Sequence, residues 1–155
     1  MKVNQIISLL FLTVFSVNVL AKETIQVFKS PTCGCCTKWI SHLQNHGFKT
    51  KTVNAKDMSV VKRFYAIPGS LQSCHTGVVN TSQAQYVFEG HIPADIIQRF
   101  LDNPPKDAIG LSVPGMPMGS PGMEVGDRKD YYEVHVIFPN GAYELYEKVN
   151  DPSDS

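Results

Sequence analysis

The residues with the most chemistry in this chain are its four cysteines, and three of them stand together in Pro31-Thr32-Cys33-Gly34-Cys35-Cys36-Thr37-Lys38-Trp39. Cys33 and Cys36 have the C-x-x-C spacing of dithiol redox motifs. Cys35 adds a thiol that disulfide exchange does not need. Thiolates attack disulfides and also bind soft metal ions, and a helix N-terminus favours them, because its free N–H groups and dipole stabilise negative charge. The sequence puts the cluster at such a place. A short apolar run, Thr24-Ile25-Gln26-Val27-Phe28, reads as a strand. Trp39, Ile40 and Leu43 after it share one helical face. Neighbouring Cys35 and Cys36 bridge each other poorly, and three thiols within four residues do not staple distant parts of a fold.

Further donors lie downstream. Cys74 and His75 occur in Ser73-Cys74-His75-Thr76. Met116, Met118 and Met123 punctuate the Gly/Pro-rich stretch 110–126, whose composition excludes a helix and reads as a ligand-bearing loop rather than a linker. Thiolate and thioether together select Cu(I). A closed zinc site of Cys33, Cys36, Cys74 and His75 is the weaker alternative, since it leaves Cys35 and the methionines unused. The other histidines read as structural: His91 at a helix start, His42 and His46 on an exposed helical face, and His135 in a strand. Trp39 and Phe28 read as core.

The elements that position these groups follow a recognisable order. A helix from about Cys36 to His46 stops at Gly47, and Phe48 to Val53 alternates as a strand. Asp57 caps a helix carrying Val60, Val61 and Phe64, which ends before Pro68-Gly69. Strands at 76–79 and 86–88 form a hairpin. Pro93 opens a helix with Ile96, Ile97, Phe100 and Leu101 on one side, closed by Asn103-Pro104-Pro105. Strand, helix, strand, helix, strand, strand, helix is the order of an α/β thioredoxin-like fold, in which the loop holding Cys74 and His75 packs beside the C-x-x-C turn. A C-terminal β-hairpin over 131–148 turns at Pro139-Asn140-Gly141.

The chain has 155 residues, 43% hydrophobic and 18% charged, which suits one domain over 22–150. Lys2, an apolar run from Ile6 to Val19 and the ending Val19-Leu20-Ala21 read as a signal peptide over 1–21, and the run is short for a membrane anchor. Cleavage there leaves 13 basic against 14 acidic residues and a formal charge of −1. No basic patch points to nucleic acid. The tail 151–155 reads as disordered.

Four segments together, Pro31-Thr32-Cys33-Gly34-Cys35-Cys36, Ser73-Cys74-His75-Thr76, Glu89-Gly90-His91-Ile92-Pro93 and the run from Gly110 to Glu124, resemble the CopG-type periplasmic copper-resistance proteins of Gram-negative bacteria. The resemblance spans about Thr24 to Glu124. It implies a thioredoxin-like fold, copper held by Cys33, Cys35, Cys36 and Cys74, with the methionine loop following, and a role in copper tolerance. The expectation is thus an exported, periplasmic protein that binds Cu(I), interconverts Cu(I) and Cu(II), meets other periplasmic copper-handling proteins, and has no membrane segment after cleavage. A thiol–disulfide oxidoreductase, with Cys33 attacking and Cys36 resolving, and a passive copper carrier are the competing expectations.

Overall fold

The computed structural model describes residues 23–154. The expected signal peptide, 1–21, lies outside them. Among the described residues the architecture is mixed α/β, with one seven-stranded sheet, three α-helices and two short 3-10 turns. The strands are β1 (Thr24–Lys29), β2 (Lys49–Asn54), β3 (His75–Asn80), β4 (Gln85–Glu89), β5 (Gly110–Ser112), β6 (Tyr132–Ile137) and β7 (Tyr143–Val149), and the helices are α1 (Gly34–Asn45), α2 (Met58–Phe64) and α3 (Ala94–Asp102). The sheet order is β2-β1-β3-β4-β5-β6-β7. β1 runs parallel to β2 and antiparallel to β3, β3 pairs antiparallel with β4, and β4 runs parallel to β5.

Alternation along β1 sends Ile25 and Val27 to one face, where they join the core with Trp39, Leu43, Ile97 and Phe100. Phe28 points the other way and meets Tyr65 just beyond α2, with ring centroids 5.9 Å apart. Gly77 of β3 leaves room for the central indole. A Cβ there would stand 3.0 Å from Ile25 Cγ2 and 3.2 Å from the far edge of the Trp39 ring. The Trp39 N–H donates to the Ile92 carbonyl at 2.8 Å, so α1 is tied to the segment entering α3. Asp57 caps α2 as its sequence position predicts, accepting from Ser59 N at 2.8 Å.

One departure from the sequence reading matters for the site. The stretch 110–126 opens as a strand, β5, because Gly110–Ser112 pairs with β4 on one side and β6 on the other. Through β5 the expected C-terminal hairpin joins the main sheet. Arg99 fastens it to α3 through Glu147, at 2.6 Å. In the tail, Pro152–Asp154 wind into a 3-10 turn, with Asp151 accepting from Ser153 N at 3.0 Å. Among the described residues no helix is long and apolar enough to cross a membrane.

Candidate metal centre

The cysteine cluster occupies the first turn of α1. Cys33 is the N-cap, and its Sγ accepts from Cys36 N at 3.3 Å. Lys29, buried, donates to the Ser30 carbonyl at 2.9 Å, and Cys33 N donates to the same oxygen at 3.1 Å. These bonds fix the turn on which the cysteines sit. Cys33 and Cys36 are joined as a disulfide, while Cys35 and Cys74 are free thiols. Cys35 Sγ lies 3.5 Å from Cys33 Sγ and 3.9 Å from Cys74 Sγ, and Cys74 Sγ is 3.5 Å from Cys36 Sγ. All four sulfurs thus meet in one place, although Cys74 comes from the loop before β3.

Two imidazoles complete the group. His75 Nδ1 and His91 Nε2 each lie 3.2 Å from Cys74 Sγ. His75 was singled out from its neighbours in sequence; His91 was read as structural and is instead in contact with the cluster. Strand register explains it. Thr76 pairs with Glu89 across the β3–β4 hairpin, and Gly90 N donates to His75 O, so the next step outward sets Cys74 opposite His91.

The loop 110–126 closes over this corner. The Pro121 carbonyl lies 2.7 Å from His91 Nδ1. A carbonyl only accepts, so Nδ1 carries the hydrogen and the Nε2 lone pair faces Cys74. Gly122, at φ +90°, packs so close to α1 that a Cβ would stand 2.7 Å from Cys35 O and 2.9 Å from Trp39 N. The three methionines lie along this loop, and none of their sulfurs makes a contact with the cysteines among the described residues. Met118 and Met123 are half-buried, and Met116 is exposed. Met116 lines a surface pocket with Pro117, Tyr132 and His135. His42 does not join the cluster: its Nε2 accepts from Ala94 N at 3.0 Å, at the start of α3.

A buried ion pair holds the Cys74 loop from behind. The Glu89 carboxylate, fully buried, accepts from Lys62 Nζ, from Ser73 N at 2.7 Å and from Thr76 Oγ1 at 2.7 Å. One side chain thereby pins the residues on both sides of Cys74-His75. Sequence reasoning missed the pair because its members come from α2 and β4, 27 residues apart.

Burial disfavours the charged form of both imidazoles. Burial, then His91 and Lys62, holds His75 well below the ordinary imidazole range. Burial also lowers His91, against the opposing pull of the Pro121 carbonyl. Burial, reinforced by the neighbouring Cys35, pushes the Cys74 thiol up to about 12. A neutral imidazole is the form that binds a metal, and a thiol of that kind gives up its proton only to a strong partner. Two overlapping donor groups have the proximity a metal needs: Cys33, Cys35, Cys36 and Cys74, and Cys74, His75 and His91. Neither contains a carboxylate, so the set suits a soft ion and not magnesium or calcium.

Comparison with known proteins agrees with this chemistry. Residues 71–123 match a protein-family model described as "Protein of unknown function, DUF411". Two solved structures are similar over most of the chain. One, titled "Copper resistance protein copG- Form 2", shares 41% identity over 83% of this chain and 98% of its own, with a TM-score of 0.76. The other, "Copper resistance protein copG- Form 1", shares 40% identity over 84% of this chain and 99% of its own, also with a TM-score of 0.76. No curated protein sequence matches.

Proposed function

The chain belongs to the CopG family of copper-resistance proteins, and from that premise we propose that it binds Cu(I) at the junction of α1, the Cys74 loop and His91. The observation that carries the proposal is the convergence of Cys33, Cys35, Cys36 and Cys74 within one group of mutually close sulfurs. Four thiols exceed what one Cu(I) ion needs, so the reading includes several ions bridged by thiolates. Met118 and Met123, beside the Pro121–Gly122 contact, and Met116 beyond it supply thioether donors that oxidation to disulfides does not remove. A thioredoxin-like scaffold is part of the reading, supported by the β2-β1-β3-β4 order and by a C-x-x-C at the start of α1. So are export by the 1–21 leader to the periplasm and a meeting there with other copper-handling proteins.

Copper here is cargo and substrate. The Cys33–Cys36 dithiolate holds two electrons. Closing to the disulfide passes one electron to each of two Cu(II) ions, giving two Cu(I) ions and no other product. The disulfide of this structure is the spent form of that couple, and an external thiol reductant restores the dithiol. Cys35, Cys74, His75 and His91 stay outside the disulfide and available to copper.

Anaerobic Cu(I) titration of the reduced protein, with thiol counting, tests this. More than one Cu(I) is expected per chain, with the thiols protected from alkylation. Cys33→Ser/Cys36→Ser lowers the stoichiometry and abolishes reduction of Cu(II). Full stoichiometry in that double variant overturns the site.

The same disulfide favours a second reading, a thiol–disulfide oxidoreductase with Cys33 as nucleophile at the helix N-terminus. It requires turnover of a disulfide substrate without metal, unaffected by Cys35→Ser.

A further inference from the structure

We infer that closing the Cys33–Cys36 disulfide leaves a complete three-donor site for a single copper ion, formed by Cys74 Sγ, His75 Nδ1 and His91 Nε2. The inference deepens the copper reading above and rests on it. It begins from the overlap of the two donor groups. They share only Cys74, and neither histidine lies on α1. The disulfide consumes two sulfurs of the first group and none of the second.

The geometry of the second group is already near that of a bound ion. Both ring nitrogens stand 3.2 Å from Cys74 Sγ. Metal–sulfur and metal–nitrogen bonds of about 2.0–2.3 Å, as in zinc sites, place such donors roughly 3–4 Å apart. An ion therefore enters with small side-chain shifts and no backbone rearrangement. His91 is pre-set for the task, because the Pro121 carbonyl holds its Nδ1–H and leaves the Nε2 lone pair pointing at the sulfur. The His75 ring is wholly buried. Trp39 packs against this ring, with centroids 4.3 Å apart, and fixes its orientation.

The donor set also differs in kind from the four-sulfur group. Two imidazoles and one thiolate form the trigonal set that accommodates copper in both oxidation states. The four-sulfur group favours Cu(I) alone. Oxidation of the dithiol thus changes the site from a multi-ion Cu(I) pocket to a mononuclear one, and the protein keeps one ion when it loses the rest. Cys35, 3.9 Å from Cys74 Sγ, is the remaining free sulfur of the disulfide form.

The test uses purified Cys35→Ser protein with the Cys33–Cys36 disulfide intact, so that Cys74 is the single thiol and cannot pair with Cys35 when Cu(II) is added. Anaerobic Cu(II) titration, followed by electron paramagnetic resonance and absorption, is expected to show one equivalent bound. Coupling to two nitrogens and a sulfur-to-copper charge-transfer band accompany it. Cys74→Ser in the same background removes the band, and His91→Gln leaves coupling to one nitrogen. Absence of uptake by the disulfide form overturns the inference, as does uptake that survives Cys74→Ser with both nitrogen couplings and the band unchanged. Reduced wild-type protein titrated with Cu(I) in parallel separates the two readings. Copper on the reduced protein with none on the disulfide form sinks this inference alone, and copper on neither sinks the copper reading as well.

Discussion

His91 Nε2 and Cys74 Sγ face each other at 3.2 Å just beyond the open end of the β3–β4 hairpin, 17 residues apart in the chain. The pairing of β3 with β4 makes that contact obligatory, since register fixes which residues oppose each other where the two strands leave the ladder. The contact joins an imidazole to a sulfur cluster, and several expectations depend on it.

Removing either partner weakens copper binding in the reduced protein. Loss of an outer hydrogen-bonding partner of a metal ligand costs about 10–100-fold in affinity. Loss of a direct donor costs at least that, so Cys74→Ser and His91→Gln are each expected to weaken Cu(I) binding by about tenfold or more. Competition with a chromophoric Cu(I) chelator measures it. His46→Gln, on the exposed end of α1, is the comparison and leaves affinity unchanged.

The Lys62–Glu89 pair fixes the Cys74 loop, and breaking one half differs from removing both. Glu89→Gln leaves the Lys62 charge buried without a carboxylate, and removing one partner of such a pair costs about 3–5 kcal/mol. Lys62→Met/Glu89→Gln removes the stranded charge and restores a substantial part of that loss. Urea denaturation of the three proteins decides the matter. A single variant as stable as the double would show that the pair does not hold the loop.

Gly122 is the point where the methionine-rich loop rests on α1. A side chain there meets Cys35 O and Trp39 N, and the positive φ adds strain of about 1–3 kcal/mol. Gly122→Ala is expected to destabilise the protein clearly more than Gly126→Ala, where φ is +54° and a Cβ meets nothing within 4 Å. Lifting the loop also withdraws the Pro121 carbonyl from His91. The nitrogen shifts of the His91 ring then report a mixture of tautomers in place of one.

Much of this site was legible in the sequence because its parts are local. Cys33, Cys35 and Cys36 fall in one turn, and the alternation of apolar and helical runs placed that turn at a helix start. Cys74 and His75 required only the order of elements. His91 required a further step. The expected strands at 76–79 and 86–88 imply a register, and continuing it outward from Val79 and Tyr86 arrives at Cys74 opposite His91. The histidine's position at a helix start suggested a structural role and masked that count. The Lys62–Glu89 pair and the Gly122 contact were not legible, because each joins segments whose approach is set by tertiary packing and not by any periodicity. β5 was hidden for another reason. Three residues, one of them Gly110 in an extended backbone, carry too little alternation to be read as a strand without their partners on β4 and β6.

His42 gives the stability of the fold a pH dependence that does not involve the sulfurs. Its Nε2 accepts from Ala94 N, one of the free N–H groups at the start of α3, and a protonated ring loses that acceptor. Burial first, and then the neighbouring His46, lowers its pKa below the ordinary 6.5, while Glu124 and Asp95 pull the other way. The unfolded chain therefore takes up a proton at a higher pH than the folded one. The sign follows: the His42 contribution is complete above about pH 6.5 and is lost as the pH falls from there through the lowered folded value. His42→Gln, whose amide oxygen also accepts a hydrogen bond, is expected to retain most of the neutral-pH stability and to flatten the acid limb. His42→Ala lowers stability at neutral pH by about 1 kcal/mol, as for a lost helix cap. Urea midpoints measured from pH 8 down to pH 5 check both. An acid limb of the same steepness in wild type and His42→Gln would show that the ring does not carry this dependence.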